Sequence, residues 1–304
     1  MKQIHTIIGL CLAVWCTTWV GCSQEDTDAV QSVEEGTSVT VKLNLSTSPL
    51  VGEVTTRATA SYTADVENLI HDVRVLQYNS MGILIANDLC FDTSDGGGVT
   101  QVNNVTADLI AAKNCTLVAL VNMEGRDFSY PELLSTLRKT KYDISFDADT
   151  DRLPMKGAYT GDVTSGQSLN FTLGRLAVRV NLVLTNSYDT LSNATIQLTH
   201  IPLRTYLYTD TEETEDLSSE DYGDGDESLY KTTLSSLEKS STSTYYYFYL
   251  LPNYCSSRDN ASVLTFQGTY SKEVKTFTYH LGEDAAGYTL YPNSIYNVTL
   301  TLSN

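Results

Sequence analysis

Few residues in this chain have the type and spacing that chemistry demands. Beyond residue 22 the histidines are His71, His200 and His280, each in or beside a stretch of strand character. A histidine works as a general base only with a nucleophile or orienting carboxylate held against it. The sequence contains no Gly-x-Ser-x-Gly elbow, no phosphate-cradling Gly-x-x-x-x-Gly-Lys-Ser/Thr loop and no His-Glu-x-x-His pair. Cys90, Cys115 and Cys255 lack the Cys-x-x-Cys spacing of a zinc knuckle or redox pair, and one disulfide plus one thiol or three buried thiols both remain open. The run DTEETEDLSSEDYGDGDE, from Asp210 to Glu227, holds ten acidic residues, but DYGDGDE does not keep the alternating register of a calcium loop and reads as a solvated loop. Carboxylate pairs for glycoside hydrolysis are defined by separation in space, so abundance of acids singles none out. In STYYYFYLLPN, clustered tyrosines could stack on a sugar. As a strand, however, it points Tyr245, Tyr247 and Tyr249 one way and Tyr246 and Phe248 the other, so at least one row belongs to a core. The chain therefore reads as non-enzymatic, with no catalytic residue, metal site or cofactor. One basic residue stands out by isolation: Arg57 is the only Lys or Arg between Lys42 and Arg74.

The elements around these residues are strands. Lys plus Arg number 19 against 37 Asp plus Glu, a net charge of −18, which makes nucleic acid and anionic lipid headgroups poor partners. Twenty tyrosines and abundant Thr, Ser, Val and Leu suit sheet surfaces, so the expected class is all-β. Val39, Val41, Leu43 and Leu45 alternate with polar residues and predict a first strand over 38–46 with one buried face. NLIHDVRVLQYNSMGILIA predicts a hairpin turning at Asn79 to Gly82, and the nearly continuous apolar run Cys115 to Val121 a central strand. PELLSTLRK is the one helix candidate, with Pro131 in its first turn and Leu133, Leu134 and Leu137 on one face. GRLAVRVNLVLTN puts Leu176, Val178, Val180, Leu182 and Leu184 on one side of a strand. The Gly-, Thr- and Ser-rich stretch 157–168 before it sets a domain boundary near 174. Further strands are expected at 195–200, 245–251, 263–266 and 274–280. A last one alternates Tyr296, Val298, Leu300 and Leu302 up to the C-terminus.

The first residues are a targeting signal. Lys2 gives a positive start, Ile7 to Trp15 is mostly apolar but short for a membrane span, and WVGC places Gly21 before Cys22. This resembles a bacterial lipoprotein signal over 1–21, although Trp19 stands where such signals usually have Leu. Cys22 would carry the acyl chains, of the palmitate kind, that hold the chain in the outer membrane. An ordinary cleaved signal is the alternative. The acidic SQEDTD that follows opens a linker over 22–37 and resembles the signal that sends lipoproteins of Bacteroides-type bacteria to the cell surface.

Taken in order, these segments resemble the fimbrillin family of Bacteroides-type bacteria. The carriers are the signal ending at Cys22, Thr-Arg-Ala at 56–58, the hairpin IHDVRVLQYNSMGILI, LPMKG at 153–157, GRLAVRVNLVL, YYYFYLLPN at 245–253 and the terminal YPNSIYNVTLTL. The resemblance implies two transthyretin-like β-sandwich domains in tandem, 38–174 and 175–304. It also implies a fimbrial structural subunit, stalk or tip, cut by an Arg-specific surface protease between Arg57 and Ala58. The segment up to 57 would leave with its first strand (Val39, Val41, Leu43, Leu45). The groove would then accept the C-terminal strand 294–304 (Tyr296, Val298, Leu300, Leu302) of another fimbrial subunit, building a head-to-tail polymer. An uncleaved, lipid-held anchor subunit is one alternative; a surface glycan-binding lipoprotein using exposed tyrosines is another.

Overall fold

The computed structural model describes residues 35–50, 66–93, 96–124, 129–145, 152–208, 215–224, 230–239, 244–283 and 287–303. Cys22, Arg57, Ala58, the leader and both ends of the acidic run lie outside them. The chain is all-β. Its first half contributes β1 (Ser38–Thr47), β2 (Asp72–Tyr78), β3 (Leu84–Asp92), β4 (Gln101–Ile110), β5 (Ala112–Val121), the short helix α1 (Leu134–Lys139), β6 (Lys141–Asp143), β7 (Met155–Val163) and β8 (Ser168–Arg175). The second half adds β9 (Val178–Asn186), β10 (Thr190–Thr199), β11 (Ile201–Pro202), β12 (Arg204–Tyr206), β13 (Tyr222–Gly223), β14 (Lys231–Glu238), β15 (Thr244–Leu250), β16 (Val263–Tyr270), β17 (Glu273–His280) and β18 (Ser294–Leu302).

The first seven long strands run in the order β3-β2-β5-β7-β8-β1-β4. β7 and β8 are paired only at Met155 with Arg175 and Lys156 with Gly174, then part toward their turn. That splay lets β3-β2-β5-β7 and β8-β1-β4 face each other across one apolar cluster. The stretch 157–168 is therefore strand and tight turn, not a break in structure: alternation of Met155, Gly157 and Val163 toward the core outweighs its Gly-rich composition.

The second half forms a three-stranded sheet, β15-β9-β18, and a four-stranded one, β14-β10-β16-β17, which enclose a second cluster. A third cluster joins the outer face of β2 and β5 to Leu207, Tyr249 and Leu251. Both faces of β5 are thus buried, Leu117, Ala119 and Val121 in one cluster and Val118 and Leu120 in another, which accounts for the apolar run from Leu117 to Val121. β6 pairs with β12, and the carboxylate of Asp221 accepts hydrogen bonds there from Lys141 Nζ (2.5 Å) and from the Ser218 backbone and hydroxyl (both 2.8 Å).

Two sequence expectations change. The helix starts at Leu134, after Pro131. Leu133 is instead bridged to Ile83 and half exposed, so only Leu137 of the three leucines is fully buried. Leu176 precedes β9 and packs in the third cluster, while Val178, Val180, Leu182 and Leu184 fill the second.

Candidate functional site

The first strand occupies an internal slot. β1 is antiparallel to β4 from Ser38↔Ile110 to Ser46↔Gln101 and parallel to β8 from Lys42↔Ser168 to Thr47↔Leu173. Val39, Val41, Leu43 and Leu45 are 6, 0, 0 and 1 % exposed, so the period-two row closes the core between Leu109 and Ala107 of β4 and Leu169 and Phe171 of β8. On the outer face Asn44 spans the slot. Its Nδ2 donates to Ser168 Oγ (3.0 Å) and Asn170 Oδ1 (2.9 Å) of β8, and its Oδ1 accepts from the Asn104 backbone of β4 (3.0 Å). Asn104 sits at φ 54° where β4 carries one extra residue opposite Asn44, a bulge that frees that amide for the side chain.

The last strand is docked differently. β18 runs parallel to β9 from Ser294↔Val178 to Leu302↔Asn186 and, among the described residues, has no ladder partner on its other edge. Val298 and Leu302 are buried in the second cluster, with Tyr296 and Leu300 partly buried against it, so all four belong to one face. β1 thus has two ladder neighbours and β18 one.

A polar knot ties the exit of β1 to the entry of β18. Arg175, 3 % exposed, donates from Nη1 to the Ser48 carbonyl and to Asn293 Oδ1 (both 2.9 Å), from Nε to the Glu67 carbonyl (3.0 Å), and from Nη2 to Asn68 Oδ1. Asn293 Nδ2 donates to Ser48 Oγ (3.0 Å) and the Pro49 carbonyl (2.9 Å), and its backbone N–H to the Ala177 carbonyl (2.9 Å). The Glu67 carboxylate, 4 % exposed as a residue, accepts from Arg179 Nη1 (2.7 Å) and the Tyr249 hydroxyl. Burial lowers the Arg175 pKa, with Glu67 opposing. For Arg179 the loss of hydration is outweighed by pairing with Glu67, and its pKa ends above the ordinary value. These residues escaped sequence reasoning. A lone arginine between Gly174 and an apolar strand, and the Pro-Asn before the last strand, were the available signals.

The other candidates are structural in their surroundings. His71 is buried, His200 stacks on Tyr222 at 4.3 Å between ring centroids, and His280 Nδ1 lies 4.0 Å from Glu283. Among the described residues no three His, Cys, Asp or Glu side chains converge as metal ligands. Tyr246 and Phe248 pack on the second cluster and Tyr247 and Tyr249 on the third, so both described rows of that strand face apolar interior. Cys90, Cys115 and Cys255 are free thiols; burial pushes Cys90 up to about 12 and Cys255 to about 11, and raises Cys115.

No family model and no curated protein matches the chain. Solved structures of the same fold do. A candidate cell adhesion protein of Parabacteroides distasonis is 14 % identical, covering 88 % of each chain at a TM-score of 0.62. One from Bacteroides eggerthii is 15 % identical over 89 % of this chain and 87 % of its own, at 0.55. The tip fimbrial protein Mfa3 of Porphyromonas gingivalis, truncated at its C-terminus, is 15 % identical over 88 % of this chain and 96 % of its own, also at 0.55. At such identities the likeness is one of fold, shared by cell adhesion and fimbrial proteins of these bacteria over nearly the whole chain.

Proposed function

We propose that the protein is a structural subunit of cell-surface fimbriae, exported as a lipoprotein through Cys22, cut after Arg57 and polymerised by exchange of its first strand. The observation that carries this reading is the contrast between β1, internal with a ladder on each side, and β18, an edge strand with one. Both present apolar side chains at alternate positions on one face, Val39 to Leu45 and Tyr296 to Leu302. A donor β18 that moves from its own sheet edge into a vacated β1 slot exchanges one ladder for two. In the direction of β1 it lies parallel to β8, as it now lies parallel to β9. The net gain of one row of backbone hydrogen bonds gives the exchange its direction. Each subunit offers one slot and one donor on different surfaces, so the contact repeats without closing and yields a filament. The fold shared with the adhesion and fimbrial proteins supports a surface role built on packing, not on chemistry.

The two β-sandwiches of this reading divide near residue 174. In support, strands up to Arg175 and strands from Val178 on pair within their own groups, β6 with β12 excepted. The test is Arg-specific proteolysis of the purified chain followed by sizing. Cut chains should form a concentration-dependent ladder of multimers, and cut chains lacking 294–304 should stop at monomers. Cut chains that remain monomeric at high concentration would leave the uncleaved anchor as the better reading.

A further inference from the structure

We propose that Asn293 and Arg175 form a latch that couples the two exchanging strands, so that the donor strand β18 is held in its own sheet for as long as β1 is in place. This rests on the strand-exchange reading and adds its timing. The Asn293 amide is fully used: both Nδ2 hydrogens go to the exit of β1, at Ser48 and Pro49, and Oδ1 accepts from the Arg175 backbone (3.2 Å) and Nη1. It stands at φ 57°, immediately before Ser294, the first residue of β18. Arg175 in turn holds the Ser48 carbonyl together with Glu67 and Asn68 of the short 3-10 turn at Val66–Asn68. Both strands are therefore tied through buried Arg175 and half-buried Asn293, although among the described residues they share no ladder.

Departure of β1 removes the Ser48 and Pro49 acceptors at a stroke. It strips both donations from half-buried Asn293 and one from buried Arg175, so the approach to β18 loses three hydrogen bonds together. The entry to β18 then loosens. A subunit with β1 still seated keeps its donor home, and one that has lost β1 has both an open slot and a releasable donor. Linkage makes the coupling reciprocal: loosening Asn293 loosens β1.

Hydrogen exchange on the intact, uncut chain tests this without cleavage, reading peptides over 38–50, 294–303 and, as reference, 190–199. Asn293→Gly keeps the positive φ and deletes the amide. Asn293→Asp keeps acceptors for Arg175 and deletes both donations to Ser48 and Pro49. The latch predicts that each raises exchange about tenfold in both 38–50 and 294–303, with 190–199 unchanged. Asn181→Ala, which removes a β9 to β18 side-chain bond at Asn297, should raise 294–303 alone. If the Asn293 variants raise exchange in 294–303 alone, as Asn181→Ala does, the latch is overturned. Coupled strands in a chain that never forms multimers after cutting would keep the latch and sink strand exchange. Multimers formed by a chain whose strands respond independently would do the reverse.

Discussion

Replacing Leu43 by alanine in the intact chain should cost about 3 to 4 kcal/mol of folding stability. Leu43 is wholly buried at the centre of the β1 row, paired with Val105 on one side and Leu169 on the other. The substitution removes three carbons, about 2.4 kcal/mol at roughly 0.8 per methylene. Ladders on both sides fix the β1 backbone, so the void cannot collapse, and the cavity adds about 1 kcal/mol more. Urea denaturation is the assay: with a slope of about 2 to 3 kcal/mol/M, the midpoint should fall by about 1 to 2 M. Lys42→Ala, on the exposed face of the same strand, should stay within about 0.5 kcal/mol. If the Leu43 variant unfolds within about 1 kcal/mol of the parent, β1 does not close that core, and its departure would open no groove worth filling.

The remaining expectations concern the same framework. Asn44→Ala should cost about 1 to 2 kcal/mol by urea denaturation, more than an exposed asparagine normally does, because three hydrogen bonds across the β1 slot are lost together. For Asp221, burial pushes the carboxyl up, but bonds from Lys141 and Ser218 outweigh it and leave the pKa below 3.8. A folded value below the unfolded one means this contribution is complete above 3.8 and is lost as pH falls through the folded pKa. Asp221→Asn should therefore destabilise at neutral pH and flatten the acid limb of midpoint against pH below about pH 4. The thiols of Cys90 and Cys255, raised to about 12 and 11, should resist iodoacetamide in the native protein and react only as it unfolds. Leu300→Asp, on the core-facing side of β18, should leave the chain folded but block ladder formation after Arg-specific cleavage, read by gel without denaturant.

Much of the framework was legible in the sequence, for a physical reason. Alternation of apolar residues marks a half-buried strand wherever one face meets a core, which located β1 and β18 nearly to the residue and β9 from Val178 on. It failed where burial is not periodic: the Gly-rich β7 hides a strand behind turn-like composition, and Leu133 looked helical because spacing cannot tell a helix from the bridge it makes to Ile83. The neighbours of a strand were not legible either. The same row in β1 and β18 gave no hint that one lies between two ladders and the other on an edge, since pairing is decided by residues far away in the chain, such as Ser168 opposite Lys42 and Val178 opposite Ser294. The Arg175 and Asn293 knot was hidden because hydrogen bonding of this kind has no period, and its members span 48 to 293.

Intact mass and N-terminal sequencing of the protein recovered from the cell surface bear most directly on strand exchange. Strand exchange predicts a chain that begins at Ala58, carries no acyl group and migrates in multimers that lose order when 294–304 is removed. A chain that begins at acylated Cys22, keeps Arg57 uncut and is found as a monomer would contradict it.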